Sequence, residues 1–424
     1  SVYRYTDACD ATPAQIKANL SKMWDEITVL TKDQAVEVVL EPQTEAASPL
    51  AKPLSGLSKL NIFTRPSELR VTFIHEYSEA ASAWVRAHEK GRDALANTFG
   101  DRVILSSREN VDPGVDAEQV LEEVAHDGAD VVFTTSVRMH TACLKVAAQH
   151  PKTKFLNCSL NAPHPLVRTY YPRTYEATYI LGMLAGILSP TNVVGYVAPN
   201  PVYGIPAAVN AYAQGLRSVR PEGRVLLRWA CLPDPEHPLS FSDREDVTLY
   251  YARDNREAPD SHRDYGLCQR LPNGVIRPLG LPEWRWDVFY TEIIRSILNG
   301  SAADTGKAIN YWWGMKSGAV GIRYSHGLPG GSLQLLGLME TQLHGGLLTI
   351  FPAQVYGQKH LLHSPQKVVY TPKELMMMDW LDECVEGSLP SYDQLDVKTR
   401  ALAEICGLDV IKDVPAQPAK PTLK

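Results

Sequence analysis

A chain of 424 residues exceeds the size at which one hydrophobic core stops growing, so two lobes or domains are expected. Its 44% hydrophobic and 21% charged residues supply ample core material, and a net charge of -6 without a long Lys/Arg run argues against a nucleic-acid partner. The longest apolar run, about residues 179–188, is too short for a membrane span and is interrupted by Gly182 and Gly186.

The start, SVYRYTDACD, carries neither a basic n-region nor an apolar h-region, and the seven cysteines show no paired spacing. Both features favour a cytoplasmic location with reduced thiols. Residues 1–68 read as a helical N-terminal extension and linker: Thr12-Pro13 opens a helix through Ile16, Leu20, Met23 and Trp24, and residues 41–60 are rich in Pro, Ser and Ala.

From Arg70 the pattern alternates between strand and helix. RVTFIHEY is β-branched and aromatic, and a helix containing Trp84 follows to Phe99. Then come RVILSSREN, a helix from Asp116, DVVFTTS, a helix through Ala142 and Val146, and KFLNCSL. Such alternation predicts a parallel sheet built from right-handed crossovers. In RTYEATYILGMLAGIL the small residues Ala177, Gly182, Ala185 and Gly186 permit close approach of another backbone. NVVGYVAP and a helix over Ile205–Val219 begin a second α/β lobe, continued by VLLRWACL, DVTLYYAR and VIRPLGL. A helix WDVFYTEIIRSILNG ends at Gly300, another spans about 333–343, and Thr-Pro-Lys-Glu at 371–374 signals a helix in the tail.

Ligands of open α/β sheets sit at the carboxyl ends of the strands. That rule selects His75, Glu76 and Tyr77 after the first strand, Ser136 and Met139 in the loop Thr135–Met139, and Asn157 after KFLN. In the second lobe it selects Asn200, Tyr203, Arg253 and Asp254, with Trp284 at the return. Helical spacing favours core packing for Trp84, its place near the loop allows ring stacking, and loop packing is an equal reading for Tyr77, Met139 and Tyr203. Arg173 and Glu176, one turn apart, read as a structural pair, and His360 and His363, without a third ligand, as surface histidines. No nucleophile elbow, Walker A loop, G-x-G-x-x-G or C-x-x-C is present, so no catalytic residue, metal or cofactor is assigned.

Six stretches, in order over residues 69–345, resemble the BMP (basic membrane lipoprotein)/PnrA-like substrate-binding family: AWVRAHEKG, HPKTKFLNCSL, RTYEATYILGMLAGILSPTNVVGYVAP, AYAQGLRSVRP, EWRWDVFYTEIIRSILNG and INYWWGMKSGAVGI. The resemblance implies a type I periplasmic-binding-protein fold. Two Rossmann-like lobes with parallel sheets would be joined by a multi-strand hinge, with helical N- and C-terminal extensions. The first lobe would span about 69–190 plus 278–300, the second about 191–277 plus 301–345, and the C-terminal extension 346–424. It further implies a small aromatic ligand, a purine base or nucleoside, held between the lobes with Trp84 as the stacking ring, no catalysis, and an ABC transporter permease as partner. Where the family has acidic residues this chain has Ala81 and Cys268, and Trp284 replaces a lysine. A site without those hydroxyl-gripping acids suits a nucleobase better than a ribose. The resemblance makes an extracytoplasmic receptor the alternative location. A cytoplasmic sensor of the same fold, a nucleoside-processing enzyme, and homo-oligomerisation through the extensions are the other readings considered.

Overall fold

The computed structural model describes residues 36–42, 68–159, 164–202, 204–232, 236–252, 265–300, 308–351, 354–363 and 370–405. The first lobe begins with β1 (Val36–Val39) and β2 (Leu69–Ile74), followed by α1 (Ala83–Phe99) and β3 (Val103–Arg108). It continues through α2 (Ala117–His126), β4 (Val131–Thr134), α3 (His140–Gln149), β5 (Lys154–Asn157) and β6 (Val167–Tyr170). The second lobe contains α4 (Tyr175–Leu188), β7 (Val193–Ala198), α5 (Ile205–Val219), β8 (Arg224–Trp229), β9 (Leu249–Ala252), β10 (Gly266–Arg270) and β11 (Ile276–Trp284). Next come α6 (Trp286–Leu298), β12 (Ala308–Tyr311), β13 (Val320–Tyr324) and α7 (Gly330–His344). The tail adds the hairpin β14 (Val355–Gly357) and β15 (Leu361–His363), then α8 (Pro372–Met376), β16 (Val385–Glu386) and α9 (Val397–Ile405).

Each lobe is organised on a seven-stranded sheet. The first has the order β1-β12-β6-β5-β4-β2-β3 and every pairing is parallel. Its central strands are buried on both faces, as continuous apolar runs such as Val131-Val132-Phe133 require. The second has the order β13-β11-β10-β9-β7-β8-β16; β16, β8, β7 and β9 are parallel, and β10, β11 and β13 extend them antiparallel.

The small residues of α4 do what their spacing predicts. A methyl group on Gly182 would lie 2.1 Å from the Tyr212 carbonyl oxygen of α5, and one on Gly215 would lie 1.9 Å from that of Tyr179. Only glycine lets these two backbones touch.

Several boundaries differ from those the sequence suggests. The preface is not purely helical: residues 36–39 form the edge strand of the first sheet, whereas the helix expected around 12–24 lies outside the described residues. Residues 175–188, expected in the first lobe, form α4, which packs on α5 of the second. Residues 278–284 belong to the second sheet, and β12, expected in the second lobe, pairs with β6 in the first. The lobe an element joins is set by its tertiary partner, about 30 to 140 residues away in these cases, and leaves no local trace. The tail, expected to be helical, also contributes strands, β16 among them. Its Thr371 begins a helix as predicted: the hydroxyl accepts the Glu374 amide at 3.3 Å, and the Glu374 carboxylate accepts the Thr371 amide at 2.9 Å.

Candidate functional site: the space between the lobes

Among the described residues before the tail, three segments cross between the lobes: residues 171–174 after β6, residues 284–285 between β11 and α6, and residues 312–319 between β12 and β13. They are laced together. The Tyr171 amide donates to Tyr311 O at 2.9 Å, Arg173 to Trp313 O at 2.8 Å, and Arg285 to Ala319 O at 2.9 Å. Arg173 and Glu176 form the expected structural pair at 3.0 Å, and Glu176 also accepts the Met315 amide at 2.7 Å. Burial raises the pKa of this carboxyl, opposed by the Arg173 charge and the Met315 hydrogen bond. Trp312 and Trp313 are core residues of the crossing region.

Beside the crossings stands an aromatic wall. Trp84, which Ser82 introduces by capping α1, donates its indole N–H to Thr135 O at 2.9 Å. Its ring meets Trp284 edge to face at 4.8 Å, His88 at 4.7 Å and Trp286 at 5.5 Å. Trp284 in turn touches Tyr265 at 5.1 Å. Trp84 is thus 5% exposed, packed as its helical spacing favours, where the resemblance implied a ring open to a ligand. Trp284, half-buried, covers it.

Thr135 links this wall to a polar group. The adjacent Ser136 hydroxyl donates to the Glu76 carboxylate at 2.5 Å, and Arg138 reaches the other Glu76 oxygen at 2.5 Å. The Arg138 side chain remains about one-third exposed. Glu76 and Ser136 are therefore brought together with Trp84 and Trp284, and Tyr77 follows Glu76 in the same loop.

Other candidates point elsewhere. Both ring nitrogens of His75 are engaged in the core, Nδ1 with Thr135 Oγ1 at 2.8 Å and Nε2 with Glu89 Oε1 at 2.7 Å. Burial favours the neutral form of Glu89, yet hydrogen bonds from His75 and Ser107 and the charges of His75 and Arg92 hold its pKa below the ordinary value. Met139 is fully buried in the apolar layer beneath α2 and α3. Asn157 is also fully buried, donating to Thr134 Oγ1 at 2.8 Å and Ser136 O at 2.9 Å, so it braces the loop from below. Asn200 is half-buried at the end of β7; Tyr203, Arg253 and Asp254 lie outside the described residues. Sequence reasoning did not single out Arg138, Tyr265 or Trp286. Arg138 was findable as the cation in the loop after β4, whereas the aromatic pairings depend on the return of β11.

Among the described residues no group of three or more His, Cys, Asp and Glu is arranged to hold a metal. Burial pushes the Cys143 thiol up to about 12 and Cys231 up to about 11, which keeps both protonated. Cys158 and Cys268 are buried, and His360, hydrogen-bonded to Glu383 at 3.1 Å, is a surface histidine.

Two α/β lobes joined by three crossings, with loops from both sheets meeting between them, are the architecture of the periplasmic-binding-protein type. Residues 71–231 match the model of the family described as ABC transporter substrate-binding protein PnrA-like (Bmp). That description is of substrate-binding proteins. The chain is 26% identical over 302 residues to a purine-binding protein of Brucella abortus, covering 69% of this chain and 85% of that one. It is 28% identical over 257 residues to a Haloferax volcanii protein provisionally named an ABC transporter glucose-binding protein, covering 58% of this chain and 64% of that one. The crystal structure of a transcriptional activator of the comK gene from Bacillus halodurans superimposes with a TM-score of 0.51 at 16% identity. It covers 66% of this chain and 98% of its own, a likeness of fold alone.

Proposed function

We propose that this protein closes its lobes on a small aromatic ligand, a purine nucleobase or nucleoside, and presents it unchanged to an ABC importer. The observation that carries this reading is the junction at Thr135–Ser136, where an aromatic wall (Trp84, Trp284, Tyr265) meets a polar group (Glu76, Ser136, Arg138). A flat heteroaromatic ring needs such a pair: a face to lie on and edge partners that set its orientation. The missing acids at Ala81 and Cys268 favour the base over the nucleoside. Cys268 is fully buried, its Sγ 3.8 Å from Tyr265 O, and offers nothing to a ribose. Trp284 lies across Trp84, so admission of a ring requires it to swing aside. The purine-binding relative supports the ligand class. The engagement of both His75 nitrogens removes the most obvious general base, which supports transport without chemistry.

The test is a thermal-shift series with adenine, guanine, adenosine, guanosine and glucose, repeated on Trp84→Phe and Glu76→Gln. A ligand at about a hundredfold its Kd stabilises by about 2.7 kcal/mol. Bases should raise the melting temperature more than nucleosides, and Glu76→Gln should abolish the gain. A response to glucose alone, or to none of the five, rejects the ligand class.

A further inference from the structure

The tail touches both lobes. On the second, Asn210 donates to Trp380 O at 2.9 Å and accepts the Asp382 amide at 2.8 Å, and Arg217 pairs with Glu383 at 2.8 Å. The buried carboxylate of Asp382 accepts Gln214 at 2.5 Å. β16 then extends the second sheet beside β8, and the Trp229 indole donates to Ser388 O at 2.8 Å. The chain stays on this lobe as far as Asp396, whose charge adds to burial in raising the Cys231 thiol.

Beyond that point it changes sides. α9 packs against the turn Val137–Met139 of the first lobe, with Ala403 (1% exposed) and Thr399 (5%) facing inward and Val397 (82%) outward. That turn carries Arg138 and follows Ser136, the partners of Glu76. α8 also reaches the first lobe, Met376 Sδ lying 3.7 Å from Asn310 Nδ2, but it does so on β12, next to the crossings. β4 and its loop lie three strands further across the sheet. A contact beside the pivot tolerates rotation of the lobes; a contact away from it is separated by the same rotation.

We propose that residues 385–405 form a clasp, anchored on the second lobe through β16 and latched on the first through α9, which must release before the lobes can open. This concerns movement of the lobes and does not depend on which ligand they hold. It is tested on the full chain, without ligand, by small-angle scattering and amide hydrogen exchange. Ala403→Glu should unlatch α9, and a ten-residue Gly-Ser insertion between Asp396 and Val397, where the chain changes lobes, should slacken the clasp with the residues of both anchors unaltered. Val397→Glu adds the same charge on the solvent side as a control. The clasp predicts a larger radius of gyration, and at least tenfold faster exchange around Trp84 and Trp284, for either of the first two variants and not for the third. If Ala403→Glu fails to fold, the insertion variant decides. Scattering like that of the unaltered chain in every folded variant, with faster exchange confined to α9 and residues 137–139, would overturn the proposal.

Discussion

Gly182→Ala should destabilise the second lobe, although alanine is the better helix former by about 1 kcal/mol. The added methyl would stand 2.1 Å from the Tyr212 carbonyl oxygen and 2.9 Å from its carbon, both backbone atoms of a buried helix that no rotamer change can move. Restoring ordinary contact requires α4 and α5 to part by roughly 1 Å along their length, and overpacking of this kind costs about 1–3 kcal/mol, occasionally more. We expect the upper end, hence a net loss of about 2 kcal/mol. Gly337→Ala is the matched control: it sits in α7 with nothing within 4 Å of the new methyl, so only the propensity gain of about 1 kcal/mol remains. For a unit of this size 1 kcal/mol moves Tm by roughly 2–4 °C. Thermal unfolding should therefore drop by about 4–8 °C for Gly182→Ala and rise by about 2–4 °C for Gly337→Ala. Equal shifts in the two variants would refute the close-approach argument.

Burial pushes His140 down to about 4, the neighbouring Asn157 opposing it, so it folds as the neutral ring. The unfolded chain binds a proton below about 6.5 that the folded one refuses, so stability is full above 6.5 and declines as pH falls toward 4. At about 1.4 kcal/mol per pH unit the loss reaches about 3 kcal/mol, and urea melts of His140→Gln between pH 7 and 4 should lack that component. Arg228 grips Asp243 through two bonds of 2.7 and 2.6 Å and lies 4.4 Å over the Phe241 ring. Arg228→Lys loses the fork and the stacking, and should lower the urea midpoint by an amount equivalent to about 1–3 kcal/mol. Trp84→Ala removes a buried indole and orphans Thr135 O, a loss of about 3–5 kcal/mol in chemical denaturation, whereas Trp84→Phe should cost much less.

What the sequence makes legible is what neighbours in the chain decide. The alternation from Arg70 onward locates the strands of the first lobe, the small residues of α4 announce its tight partner, and Thr371-Pro372 starts α8. β1 escapes because four residues of strand mean nothing without β12, about 270 positions later. The same holds for β16 and β8, 160 positions apart, whereas the lobe of α4 is decided by packing on α5, which its small residues announce without saying on which side of the crossing it lies. Between the lobes, the rule of strand carboxyl ends selects Glu76 and Ser136, which the structure brings together beside Trp84. It cannot tell that His75, one residue earlier, turns inward to Glu89, or that β11 brings Trp284 down on Trp84. Those orientations are set by contacts that form only when the sheets are complete.

The interleaving of the sheets has a consequence for how the chain is made. β1 leaves the ribosome before the rest of its sheet, yet its partner β12 is synthesised about 270 residues later, roughly 15–55 s at about 5–20 residues per second. Throughout that interval Val36-Glu37-Val38-Val39 is a strand with no neighbour, and the β8 edge likewise waits for β16 from the far end of the chain. The first sheet can take up β1 only once β12 is made, and the second stays open at β8 until the last tenth of the chain is released. In the finished protein these two strands are themselves sheet edges, and at four and two residues they are short, one of the devices that limits edge-to-edge association.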